Sequence, residues 1–497
     1  MEAEAVFSRK EVRRIVRQQL NGNHGFKASV ETELREIPVM LSDISSLGFA
    51  ALIEGNFGNK FHVGERITVK VAPLEDQAYW INGIIIDKQT RSEETRISCL
   101  IQHEQAPGHG RLRPIILPQD QHLKGVFNHP FFYKQTHFFS VESVSSHGLS
   151  ITNIAANCLL FSGMRVKLKL GISDHDETVE CVVSEVSLTE SNQLRCFVRI
   201  LDMGKQASKE FTQYLFQHLD ITPQDLKRAG FDSYCIKELI YFKFVETQEE
   251  YEEVLRVRRL NYSGNKKVDA DAPLQKLSYF FDQYSKILMV YHREKLIGSA
   301  ALILGEPGKQ PTEIATLLSS DEVAQLPAEE ITAEVACLCL NKEYRNTDIL
   351  HGIFEQLYIN TVMAGRSYLV VSSDNVLLRL YKRIGFKETG FSFIQPKYND
   401  LPMKVLLVDA LTAKWGKGMS AIDWCVIWGK SSGYLQRRGV IRYSLLERMR
   451  VNLNRLVFNA ALKGYLMREK AIGLKKAMRL PGVKYSRTLT QLSGNRI

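Results

Sequence analysis

The sequence predicts a multidomain chain: two small antiparallel β-barrels, then an α/β domain, then a basic helical tail. Three observations carry that expectation. Short alternating apolar runs fill the first two hundred or so residues, strand and helix periods alternate in the next stretch, and positive charge gathers from Ala413 onward. The length agrees, because 497 residues exceed one core at roughly 100–200 residues per domain.

The runs VETELREI, FAALIEG, RITVKVA, YWINGIIID and RISCLIQ lie within residues 27–105. Each alternates or stays apolar for a few residues between Gly or charged turns, the pattern of a small barrel or sandwich. HFFSVESV, GLSITNI, RVKLKLG, TVECVVSEV and LRCFVRI repeat that texture. Gly48 ends DISSLG and Gly64 opens GERITVKV, while Gly148 ends SVSSHG and Gly163 opens GMRVKLKL. Like turns at like spacing, followed by like strands, indicate a duplication.

Residues 206–232 have helical periodicity around a Pro-containing turn and suit a linker. After them QEEYEEVLRVRRLNY (248–262) reads as a helix, and ILMVYHREKLIGSAALIL as a hairpin turning at Arg293-Glu294. TAEVACLCL is a buried strand. Ile349, Ile353 and Leu357 share one face of the next helix, which Gly365 stops. SYLVVSS, DNVLLRLYKRIG and FKETGFSF then give strand, helix and last strand, completing an α/β layer. The expected boundaries are 1–107, 108–220, a linker 221–235, 236–412 and a tail 413–497.

From Ala413 to Ile497 there are 18 Lys and Arg against 3 Asp and Glu, a net of +15, whereas the whole chain is +10. The preceding residues therefore sum to −5. Trp415, Trp424 and Trp428 open this tail, and YSLLERMRVNLNRLVFNAALKGYLMREK interleaves apolar and basic residues at helical spacing. Such helices lie on anionic membranes, dock acidic partners, or pack on a neighbouring core. No nucleic-acid-binding motif is present. No run of about 18 apolar residues and no secretory leader core appear, so a cytoplasmic protein is expected, with the tail as a peripheral contact to the inner face of the membrane. The eight cysteines include no CxxC pair; free buried thiols and no metal site are expected.

Arg13, Arg14 and Arg17 contain an RxxxR spacing, and Asp43, Ser45 and Gly48 form DxSxxG ahead of the strands. Together these resemble the PilZ domain, which binds cyclic di-GMP. The chemistry suits that ligand: guanidinium forks pair with phosphate oxygens and the guanine O6/N7 edge, Asp and Ser meet guanine donors, and Gly48 permits positive φ. In the second block Ser143 replaces the Asp. Arg113 matches Arg13, but Leu117 stands at the partner position, so this copy reads as degenerate, kept for packing or relay.

FFDQYSKILMVYHREKLIGSAALIL, AEVACLCLNKEYRN and LLRLYKRIGF resemble the GNAT acyltransferase fold, within it the N-acyl amino acid synthase and autoinducer-synthase branch. That resemblance implies a pyrophosphate loop after the central strand, which here reads Arg345-Asn-Thr-Asp348-Ile-Leu350. Asp348 helps cap the helix but repels a pyrophosphate. The branch's other donor, an acyl carrier protein phosphopantetheine thioester, fits better than acetyl-CoA. Amine attack on a thioester needs a base and an acid. Glu334 is the candidate base through water, and Tyr381 the candidate acid. Arg345 is assigned to the carrier phosphate, Arg256 and Arg258 to a substrate carboxylate. The expected function is a cyclic di-GMP-responsive N-acyltransferase acting on an amino acid-like amine; the alternative is a cyclic di-GMP-binding adaptor with an inactive GNAT-like domain.

Overall fold

The computed structural model describes residues 18–19, 27–32, 36–74, 77–91, 93–102, 112–130, 132, 135–172, 175–264, 268–305, 311–396 and 400–478. The chain forms two compact units, Met1–Ser233 and Tyr234–Ile497.

The first unit holds β1 (Gln18–Gln19), β2 (Lys27–Glu31), β3 (Glu36–Ile44), β4 (Gly48–Glu54), β5 (Arg66–Leu74), β6 (Gln77–Arg91) and β7 (Glu94–Ile101). Strands pair in the order β3-β2-β5-β6-β7-β4 and β4 returns to β3, closing a six-stranded antiparallel barrel with β1 on β3. The second barrel uses β8 (Ile115–Ile116), β9 (Leu123–Asn128), β10 (Thr136–Ser145), β11 (Gly148–Ile154), β12 (Arg165–Ile172), β13 (His175–Leu188) and β14 (Leu194–Asp202). Its pairing repeats the first, β10-β9-β12-β13-β14-β11 closing on β10, with β8 on β10. The alternation is direct in β12, where Val166, Leu168, Leu170 and Ile172 are buried between exposed Arg165, Lys167 and Lys169.

The duplication extends to irregularities. Register shifts fall between Leu41 and Asp43 and between Val141 and Ser143. They recur between Ile85 and Asp87 and between Val183 and Glu185. Gly64 and Gly163 both have φ 90° and donate to Ile85 and Val183 carbonyls at 2.8 Å. Such turns demand glycine, because a Cβ is strained at that φ.

Three expectations change. VETELREI belongs to two strands, since Glu31 pairs with Glu36. The strand β9 had not been anticipated. Gln19 lies opposite Asp43, and Ile116 opposite Ser143; the copies therefore register at 19 and 116, three residues away from the alignment that set Leu117 against Arg17. Two helices follow, α1 (Lys205–His218) and α2 (Pro223–Arg228). Thr222 caps α2 and Pro223 occupies its first turn, where a missing N–H costs nothing.

The second unit runs β15 (Ile240–Phe244), α3 (Gln248–Gly264), β16 (Ser285–His292), β17 (Lys295–Ile303), α4 (Glu313–Leu317), α5 (Ser320–Val323), β18 (Thr332–Leu340), α6 (Ile349–Met363), β19 (Tyr368–Ser373), α7 (Asn375–Arg383), β20 (Lys387–Gln395) and β21 (Leu401–Asp409). Helices α8 (Ala410–Ala413), α9 (Ala421–Ile427), α10 (Gly429–Arg437) and α11 (Leu445–Met478) complete it. The sheet order is β15-β16-β17-β18-β19-β21-β20. Every pairing is antiparallel except β18 with β19. The hairpin at Arg293 is as expected, with that residue at φ 55°. FKETGFSF is not the last strand: β21 follows it and inserts between β19 and β20.

The start of the tail belongs to this unit's core. Trp424 is buried and its indole donates to the Ala413 carbonyl at 2.9 Å. Trp428 is fully buried, donates to the Ile384 carbonyl at 2.9 Å and meets Tyr358 edge-on at 4.7 Å between ring centres. Among the described residues no helix is long and apolar enough to cross a membrane.

Candidate active site

The central strands separate where chemistry is expected. β18 pairs with β19 over Thr332–Val335 against Tyr368–Val371. Past that point β18 stays on β17, and no further pair joins it to β19 among the described residues. A register shift between Ser299 and Ala301, with Cys337 at φ 52°, kinks β18 at this opening. Bulges of this kind re-aim backbone groups beside active sites.

Glu334 lies on β18 just before the opening and is completely buried. Its Oε2 accepts the Ile314 amide at 3.1 Å, and the Glu313 amide also donates to the carboxyl. Oε1 has no partner among the described residues. Burial first, and then the charge of Glu313, push the Glu334 carboxyl well above the usual carboxylate range. Glu313, itself buried, accepts from Gln395 Nε2 at 2.9 Å. Glu334 is a candidate from the sequence, whereas Glu313, which the fold brings to it, and Gln395, which the fold brings to Glu313, were not singled out there. Buried polar atoms without a hydrogen-bond partner are rare in folded proteins.

Tyr381 on α7 is buried against Phe354 and Phe386, with ring centres at 5.9 and 5.5 Å. Burial raises its phenol, so it keeps the proton an acid must donate. No hydrogen bond joins it to Glu334: the carboxyl is held by residues 313–314, and the phenol sits among the aromatic rings.

The arginines fall differently from expectation. Arg258 is fully buried in a two-pronged ion pair with Asp282, at 2.5 and 2.9 Å. Its fork is spent inside the core, so it does not hold a substrate carboxylate. Arg256 is exposed and pairs with Glu252 at 3.4 Å, one helical turn away. Arg345 turns inward, donating to the Leu340 carbonyl at 2.9 Å and Asn261 Oδ1 at 3.1 Å. It ties the end of β18 to α3.

Asp348 also departs from expectation. It makes no side-chain cap to α6. Its Oδ1 accepts the amides of Ile236 and Lys237 at 3.3 and 3.1 Å, fastening the segment before β15 to the start of α6. Lys237 adds an ion pair with Glu355 at 2.5 Å. Burial raises the Asp348 carboxyl to about 6, against the lowering effect of those amides and of Lys237. The Ile349 amide is taken by the Thr347 hydroxyl at 3.3 Å.

A small apolar hollow lies beside the Glu334 brace, lined by Ile314, Val323, Leu326, Thr332, Val370 and Leu407. Leu326 and Leu407 also line a polar cleft of about 430 Å³ that carries Lys387 and Lys417.

The second unit has a mixed α/β fold on one seven-stranded sheet. No family model matches the chain, and no curated protein matches it. Solved structures similar to it include FeeM, an N-acyl amino acid synthase from uncultured soil microbes, at 13% identity, 35% of this chain, 93% of that chain and TM-score 0.31. MesI, a CoA-dependent acyl-homoserine lactone synthase, is similar at 16% identity, 41% of this chain, 97% of that chain and TM-score 0.27. BjaI, another such synthase, bound to SAM and isopentyl-CoA, stands at 14% identity, 43%, 99% and 0.29.

In the first barrel, Asp43 is buried and receives Arg96 at 2.9 Å. Ser45 Oγ donates to the Gly48 carbonyl at 3.0 Å and accepts its amide at 3.1 Å. Gly48 is a strand residue opposite Leu100, and among the described residues the left-handed glycines of this barrel are Gly55 and Gly64; positive φ is not what Gly48 supplies. Ser145 and Gly148 repeat the turn in the second barrel. Arg13, Arg14 and Arg17 lie outside the described residues. Between Ser45 and Gly48, Ser46 Oγ donates to the Cys158 carbonyl at 2.8 Å and accepts the Leu160 amide at 2.9 Å. The turn of one barrel is thus bonded to a loop of the other. All eight cysteines are free, and no group of metal-binding side chains occurs among the described residues.

Proposed function

We propose that this chain is a cyclic di-GMP-responsive N-acyltransferase, moving an acyl chain from an acyl carrier protein thioester to an amino acid-like amine. The observation that carries the acyl-transfer reading is Glu334: a fully buried carboxyl with one unpaired oxygen, beside the opening of a GNAT-like sheet. When ionised it takes the amine proton, directly or through one water, and the phenol of Tyr381 supplies a proton to the leaving thiolate.

The donor choice is supported by Asp348, a carboxylate at the helix start where a pyrophosphate would need bare amides. Regulation is supported by the Asp43–Gly48 turn and by β1, which sets Gln19 opposite Asp43, two residues on from Arg17 in the sequence. Ser46 gives the second barrel a route for relaying occupancy of the first. The adaptor reading draws on Arg258 and Arg345, both engaged in internal contacts. Purified full-length protein offered acyl carrier thioester or acetyl-CoA with a panel of amino acids separates these readings. Faster acetyl-CoA turnover overturns the donor, and no turnover with either favours the adaptor.

A further inference from the structure

We propose that α11 is an interfacial helix that seats the protein on an anionic bilayer surface. At 3.6 residues per turn, Leu445, Leu446, Met449, Leu453, Leu456 and Val457 fall within one arc of about 120°. All six are exposed, Leu446 to 77% and Leu456 to 66%. Val451 and Asn454, on the opposite side, are buried, and the helix packs there on α9. The helix therefore has two faces: one completes the core of its unit, and the other offers apolar side chains to solvent. A continuous apolar strip of this kind marks an interaction surface.

Charge identifies the partner. Arg448, Arg450 and Arg455 on the helix, and Arg437, Arg438 and Arg442 just before it in the chain, are exposed. The acid among them, Glu447, is paired with Lys414 at 3.0 Å. Nine further Lys and Arg against Glu469 follow in residues 462–497. On the helical wheel Arg450 borders one edge of the apolar arc, and Arg448 and Arg455 lie beyond the other. Cations on both flanks of an apolar strip match a headgroup layer, where side chains of Arg reach outward while Leu and Met enter the acyl boundary. The helix lies on such a surface rather than through it.

Flotation of the full-length chain with vesicles of phosphatidylcholine and phosphatidylglycerol, or of phosphatidylcholine alone, tests this. We expect flotation with the anionic vesicles, weakening from about 50 to about 500 mM salt as screening shortens the reach of the charges. Leu446→Gln with Met449→Gln and Leu453→Gln should cut the bound fraction at least about tenfold while the melting temperature changes little, because about half or more of each side chain is already exposed to solvent. Arg442→Gln with Arg448→Gln and Arg450→Gln should weaken anionic binding and flatten its salt dependence. Failure of the full-length protein to float at low salt overturns the proposal, as does unchanged flotation of both variants. A dimer that the apolar substitutions dissociate, without flotation, assigns the strip to a second copy of the chain and also overturns it.

Discussion

Replacing Asp348 by Asn removes a buried charge while leaving an oxygen in place for both amides that Oδ1 now accepts. Burial raises this carboxyl from 3.8 to about 6. The unfolded chain releases the proton first, so between those values the folded state holds more protons and stability falls as pH rises. A shift of about two units corresponds to about 3 kcal/mol, lost between about pH 4 and pH 6 and constant above. Asn titrates in neither state. The variant should therefore match the wild type near pH 4 and exceed it by up to about 3 kcal/mol at pH 8. With a slope of about 1–3 kcal/mol per molar urea, the midpoint should rise by about 1 M or more. Tryptophan fluorescence reads the relevant unit, because Trp415, Trp424 and Trp428 lie in it and only Trp80 lies outside. An Asn variant that unfolds earlier at pH 8, or a difference that does not change with pH, refutes the reasoning.

Glu334→Gln keeps an acceptor for the Ile314 amide and removes the base, so turnover should drop about 10²–10⁴-fold with the fold retained; an unchanged rate removes Glu334 from the mechanism. Trp428→Ala empties a fully buried site and should cost about 3–5 kcal/mol in denaturant unfolding. A loss under 1 kcal/mol would contradict the packing of the early tail. Arg17→Ala should weaken cyclic di-GMP binding at least about tenfold, since a charge-assisted hydrogen bond contributes about 1.5–3 kcal/mol. Calorimetry giving equal affinities for wild type and variant would sink the nucleotide assignment.

Local pattern made the barrels legible. Alternation in stretches such as RVKLKLG fixes which side chains face inward, and paired glycine turns disclosed the duplication before any strand was placed. Glu334 was visible for a similar reason: an acid inside an apolar strand is out of pattern. Glu313 had no such signal, because its partner is twenty-one positions away and meets it only through the fold. Arg258 stands in RVRR among arginines that the sequence cannot rank, and Asp282 alone distinguishes it by burying its fork. β21 was missed because KVLLVDALTAKW passes from strand into helix through Asp409 alone, a capping residue with no Gly or Pro beside it to mark the boundary. The tail misled by composition. Its charge is continuous, but Trp424 and Trp428 anchor the first part in the core, whereas α11 presents an apolar face outward.

Amide product formed by the full-length chain from an acyl carrier protein thioester and an amino acid panel, followed by mass spectrometry with and without cyclic di-GMP, tests the central claim most directly. The account predicts an N-acylated product whose rate of formation changes when the nucleotide is added. No product under either condition would contradict the enzyme, and product formed at a rate indifferent to cyclic di-GMP would contradict its control by the barrels.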